Sequence, residues 1–147
     1  MVQIVDFENY HHNSSDKYDL AISIEVAEHI NEEYSNLFID NLCSAADVVL
    51  FSAAIPYQSG DGHVNCQWPS YWQQKFNQRG FVPADFIRRE IWNNDKVALH
   101  CRQNICLYIS EKSEKCTYFK DKISDVIDVV HPKMFGDIMW LVHSGNY

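Results

Sequence analysis

The sequence of 147 residues is short of glycine, with five, and of proline, with four. None of Gly60, Gly62, Gly80, Gly136 and Gly145 stands in G-x-G-x-x-G spacing after an apolar run, so the chain itself carries no dinucleotide-cradling loop. Basic residues are scarce as well. Twelve Lys and Arg against twenty Asp and Glu leave a formal charge of −8 without a basic cluster. A phosphate backbone is repelled by such a surface, which disfavours nucleic acid as a partner. No apolar run approaches the ~20 residues of a membrane span. The opening MVQIVDFENY lacks the basic-then-apolar order of a secretion signal, so a cytoplasmic location is expected and a membrane is not. The five cysteines, Cys43, Cys66, Cys101, Cys106 and Cys116, are odd in number and lack C-x-x-C spacing. That excludes a disulfide framework or a zinc finger and leaves buried reduced thiols. Internal repeats, low-complexity tracts and linkers are missing too, which leaves one domain over residues 1–147.

Hydrophobic residues make up 46% and aromatics 14% of the chain, enough for a folded core. The informative stretch is Tyr18 to Ile30, YDLAISIEVAEHI. Its first half is short and apolar without a polar face, which predicts a central strand buried on both sides in a parallel sheet. Its second half places Glu25, Glu28 and His29 at i, i+3 and i+4, so a helical turn there would present two carboxylates and an imidazole together. A site at the carboxyl end of a parallel strand is where open α/β sheets hold ligands. Acidic residues favoured at a helix start, beside a histidine that simply packs, account for the same segment without a ligand.

The rest of the chain alternates strand and helix signals. Met1–Val5 is a short apolar run, and ENYHHNSSDK after it is turn-rich. Residues 31–43 have helical spacing at Tyr34, Leu37, Phe38 and Leu42, and DVVLFSAA from Asp47 predicts a second buried parallel strand. Strand, helix and strand in that order make a βαβ unit. Pro56, Gly60 and Gly62 then mark a loop long enough to be functional. Pro69–Arg79 predicts a helix stopped by Gly80. Phe86–Trp92 and Asn104–Ser110 predict the last two strands, joined through a turn at Asn93-Asn94-Asp95. Glu111–Lys122 is charged and exposed. Ile123, Val126, Ile127 and Val130 predict an amphipathic helix ended near Pro132, and Met134–Val142 is aromatic and apolar.

YDLAISIEVAEHI, DVVLFSAAIP and GHVNCQWPSYW together resemble the second half of a class I S-adenosylmethionine-dependent methyltransferase, over roughly residues 1–110. Residues 111–147 form a C-terminal extension beyond it. The resemblance implies an α/β fold with a truncated Rossmann-like methyltransferase sheet, mostly parallel, with a C-terminal antiparallel hairpin. The family's first strand and glycine-rich loop belong upstream, so weak binding of S-adenosylmethionine by this chain alone is expected. By the same resemblance, Asp6 meets the cofactor's adenine amino group with Phe7 beside the ring, and Ile24 ends the cofactor-facing strand. Two branches of the family, the small-RNA 2′-O-methyltransferases and the ubiquinone-pathway O-methyltransferases, bind a divalent metal with a Glu-x-x-Glu-His segment. The RNA branch adds a later histidine shortly before a tryptophan. Carried over, the metal ligands are Glu25, Glu28, His29 and His63, the ion is Mg, Mn or Zn, and His29 with Glu28 forms the catalytic pair.

Methyl transfer to a hydroxyl needs that oxygen to lose its proton as it attacks, which a cation or a base assists. The implied activity is O-methylation of a small hydroxylated or sugar acceptor, with Trp68, Tyr71 and Trp72 either lining the acceptor pocket or packing in the core. The alternative is a non-catalytic remnant acting through protein contacts or self-association. Without the upstream strands, Leu20–Ile24 becomes an apolar sheet edge, which predicts edge-to-edge pairing into a homodimer. His100, Cys101 and Cys106 lack an acidic partner nearby in sequence and make a poor thiol nucleophile.

Overall fold

A computed structural model describes residues 4–13, 15 and 17–145. Its elements are β1 (Ala21–Ile24), α1 (Ser35–Ala45), β2 (Val48–Ser52), α2 (Pro69–Asn77), β3 (Phe81–Ala84), α3 (Phe86–Ile91), α4 (Leu99–Asn104), β4 (Cys106–Ser110), α5 (Glu114–Tyr118) and α6 (Pro132–Ser144). The fold is α/β around an open mixed sheet in the order β1-β2-β4-β3. The chain forms the expected βαβ unit: β1 and β2 are parallel, with Ala21 opposite Val49 and Ile24 opposite Ser52. The other two pairings, β2 with β4 and β3 with β4, are antiparallel. A mostly parallel sheet is therefore matched only at its first pair.

The sheet has two unequal faces. On one, Val49, Phe51, Cys106 and Tyr108 meet α1 and α2. Phe76 of α2 lies flat on Tyr108, with ring centroids 3.8 Å apart and planes 11° off parallel, and Phe51 packs against Trp72 at 5.3 Å. On the other face, Val48, Leu107, Ile109 and Ala84 are covered by Phe86, Ile87 and Phe119. That cover does not reach β1. Ile22, opposite Leu50 in the register, is 62% exposed, and Leu20 is 41% exposed. β1 stands at the sheet edge among the described residues, not at the centre, and only alternate residues face the core.

Three further expectations are corrected. The last strand pair is β3 with β4, and Phe86–Trp92 contributes a helix instead of a strand. FVPA, five residues earlier, takes the edge position, where Pro83 can sit because one side of the strand needs no donor. The pair is no hairpin either, since α3 and α4 lie between its strands. The stretch 123–130 forms no helix: Ser124 bridges Ala84, and the Val126 amide donates to the Gln73 side chain at 2.7 Å. Asp128 and Asp125 accept from Ser70 and Gln73, Arg88 donates to the Ile127 carbonyl and Gln103 to that of Val129, so side chains of other elements pair backbone groups that a helix would have paired internally. Of the possible strand at Met1–Val5, residues 1–3 lie outside the described residues, and Ile4 and Val5 carry no strand.

Proline and glycine placement explains the helix ends. Pro69 opens α2 and Pro132 opens α6, where a missing N–H costs nothing. No helix among the described residues is long and apolar enough to cross a membrane. All five cysteines are free.

Candidate metal centre

The site is built where β1 runs out. Glu25 adopts φ +51°, a left-handed conformation unusual for a residue with a side chain, and its amide still bonds Ser52 across the ladder at 3.1 Å. The chain therefore turns sharply, and a single 3-10 turn over Ala27–His29 follows in place of a longer helix. The backbone carbonyl of Glu28 accepts from the amides of Val64 at 2.8 Å and Asn65 at 3.0 Å. These two bonds pin the segment after β1 to the segment that carries His63.

Glu28, His29 and His63 converge as a result, with one potential ligand atom from each lying within 4.8 Å of the others. The rings of His29 and His63 meet edge-on at 4.9 Å. His29 Nδ1 lies 3.2 Å from the Gly62 carbonyl, and His63 Nδ1 lies 3.2 Å from the Gln58 carbonyl. A carbonyl only accepts, so each ring donates from Nδ1, and the neutral ring with that tautomer leaves its Nε2 lone pair for a ligand. A carbonyl behind each imidazole is the arrangement that fixes metal-binding histidines.

Glu28 is the anomaly of the site. Its side chain is fully buried, and neither carboxylate oxygen has a hydrogen-bond partner. Burial is the main reason its pKa is raised from 4.5 to about 7, with the charge of Glu25 adding to the rise. The amides of Glu28 itself and Ala54, and the His29 imidazole, draw it partway back down. Those amides sit close enough to influence the charge without meeting the geometry of a hydrogen bond. His63 Nε2 is 3.9 Å from Glu28 Oε1. That gap is too wide for a hydrogen bond, and an ion bonded to both atoms at about 2.0–2.1 Å would draw them together by about half an ångström. A buried, unpartnered carboxylate beside two preset imidazoles fits a divalent ion, because an uncompensated buried polar group is costly.

Glu25 lies beside this group with its carboxylate engaged elsewhere. It accepts from Gln58 Nε2 at 2.7 Å and from Asn104 Nδ2 at 3.1 and 3.4 Å. Asp6 accepts from the Glu8 amide and the Asn9 side chain in its own turn, and Phe7 leans edge-on against Phe38 of α1 at 5.1 Å. Segment 6–12 is tied along α1 through Asn31 and Asn41. Ile24 ends β1 directly before Glu25. Trp72 is core, Tyr71 packs edge-on against it at 4.9 Å, and Trp68 is 39% exposed. The Cys106 thiol is pushed up to about 12 by burial, and burial raises that of Cys101 as well, so neither supplies a thiolate near neutral pH.

Gln58, Asn104 and Cys66 belong to the site and carry no motif. Cys66 Sγ is 3.5 Å from His63 Nδ1, and burial first, then Glu28 and Glu25, raise its thiol pKa. The one signal for Gln58 and its neighbours is the long loop bounded by Pro56 and Gly62. Comparison with protein-family models, with curated proteins and with solved structures returns no match to this chain.

Proposed function

We propose that this chain is the acceptor-side part of a Rossmann-like, S-adenosylmethionine-dependent O-methyltransferase in which Glu28, His29 and His63 hold a divalent cation. The observation that carries this reading is the Glu28 carboxylate, buried and unpartnered between two imidazoles whose Nε2 atoms are free. Two nitrogen donors and one oxygen favour Zn or Mn over Mg, which prefers oxygen ligands. When bound, the cation would lower the pKa of an acceptor hydroxyl and orient its oxygen for in-line attack on the sulfonium methyl. The chain's own groups supply the rest. His29 is exposed and can meet an incoming hydroxyl. A cavity of about 160 Å³ between Tyr57, α4 and α6 shares Gln58 with the site and is lined by Leu99, Met134 and Leu141. The charge of −8 argues for a small neutral or cationic acceptor over a nucleic acid.

Calorimetric titration tests the reading. Weak but saturable binding of S-adenosylhomocysteine, together with saturable binding of Zn or Mn, is expected. Heats equal to buffer for all three abolish it.

A second reading, self-association without catalysis, has its own observation in the bare edge of β1. Ile22 and Leu20 are exposed on a strand that has no second neighbour among the described residues, and a second copy running antiparallel would extend the sheet. The expected result is a sedimenting dimer that Ile22→Lys converts to monomer. Monomeric wild type at micromolar concentration removes this reading.

A further inference from the structure

We infer that Gly60 is a positioning residue for His63: the missing side chain at position 60 leaves the space in which the imidazole presents Nε2 to Glu28. A Cβ built on Gly60 would stand 2.1 Å from His63 Nε2, 2.3 Å from Cε1 and 2.8 Å from Cδ2. Those distances place it over the ring face at the same nitrogen that lies 3.9 Å from Glu28 Oε1. The imidazole is therefore held on three sides: by the Gln58 carbonyl at Nδ1, by Cys66 Sγ beside that atom, and by the bare backbone of residue 60 beneath it.

Other glycines show why this one is singular. Gly62 needs glycine for its backbone, at φ +70°, and a Cβ there would meet His29 only at an ordinary 3.7 Å. Gly136 and Gly145 have open space around them. Gly60 is not among the residues of positive φ, so its backbone accepts an alanine, and the three atoms nearest the added Cβ all belong to the ring of His63. Because that ring is the free end of a side chain, it yields before the fold does. Restoring normal contact moves Nε2 by on the order of 1 Å, several times the ~0.2 Å tolerance of a metal–ligand bond. Alanine also narrows the freedom of the unfolded loop, which does not weaken the fold.

This inference rests on the metal reading above, and the test separates the two. Wild type and Gly60→Ala are compared for Zn and Mn affinity by calorimetry, for urea unfolding in EDTA, and, in metal-free protein, for the NMR contact between the Gly60 α protons and the His63 ring protons. Affinity weakened by about 10-fold or more, as when a supporting group of a metal site is lost, is expected in Gly60→Ala with an unfolding midpoint in EDTA equal to or above that of wild type. Equal affinity in both proteins overturns the role of Gly60 and leaves the metal reading intact. A variant that is destabilised in EDTA makes Gly60 merely structural and also overturns it. Should wild type bind neither ion, the metal reading falls. The NMR contact then decides the placement of His63, and its absence overturns the inference.

Discussion

Replacing Glu28 with Gln isolates the electrostatic cost built into the site. The buried carboxyl keeps its proton up to about pH 7 when folded, whereas an unfolded chain loses it near 4.5. Between those values the folded state binds more protons than the unfolded one, so stability falls as pH rises and levels off above 7. At about 1.4 kcal/mol per pH unit, the loss over this window is on the order of 3 kcal/mol. Gln matches the shape of the protonated acid and has no charge to desolvate. At pH 4 both side chains are neutral, the acid with one donor and the amide with two, and stabilities within about 1 kcal/mol of each other are expected. At pH 8 in EDTA, Glu28→Gln should be more stable than wild type by up to about 3 kcal/mol. Saturating Zn should reverse the order, because the ion neutralises the carboxylate and has little to gain from an amide. Urea unfolding followed by tryptophan fluorescence from pH 4 to 8, with EDTA and then with Zn, measures each comparison. A variant less stable than wild type at pH 8 in EDTA refutes the reasoning. It would mean that the charge is already compensated within the metal-free site, where His63 Nε2 lies 3.9 Å away.

His63→Ala should abolish the rise in thermal midpoint that Zn or Mn gives wild type while leaving the metal-free midpoint within a few degrees. An undiminished rise removes His63 from the ligand set. Away from the site, Asp85 and Arg88 form a buried ion pair, with Arg88 Nε 2.9 Å from Asp85 Oδ1 and its other donors on the carbonyls of Gln103 and Ile127. Asp85→Ala strands that guanidinium and should cost about 3–5 kcal/mol in urea unfolding. An unchanged midpoint would show that water reaches Arg88.

The sequence exposed the apolar scaffold more readily than the wiring of the site. β1, β2 and β4 were legible because each is a short apolar run, and α1 and α2 because their buried residues recur at helical spacing. Phe86–Ile91 misled because its apolar residues suit either period, and the choice was made elsewhere, by β3 occupying the edge beside β4. Ile123–Val130 has helical periodicity without a helix, since side chains of α2, α3 and α4 capture its backbone. The spacing of Glu25, Glu28 and His29 suggested one helical face. The left-handed turn at Glu25 rotates its carboxylate toward Gln58 and Asn104 and leaves Glu28 and His29 to meet His63. Only the third dimension brings residue 104 beside residue 25, and no local pattern announces such a contact.

The stretch 53–68 joins β2 to α2 without a turn of helix or a strand pairing of its own. It is nevertheless the part that orients both imidazoles, through the carbonyls of Gln58 and Gly62. An ion gripped by Glu28 and His29 on one bank and His63 on the other would act as a clasp across this crossing. The supply of metal would then govern how open the crossing stands to solvent and to proteases, far more than it governs the sheet beneath.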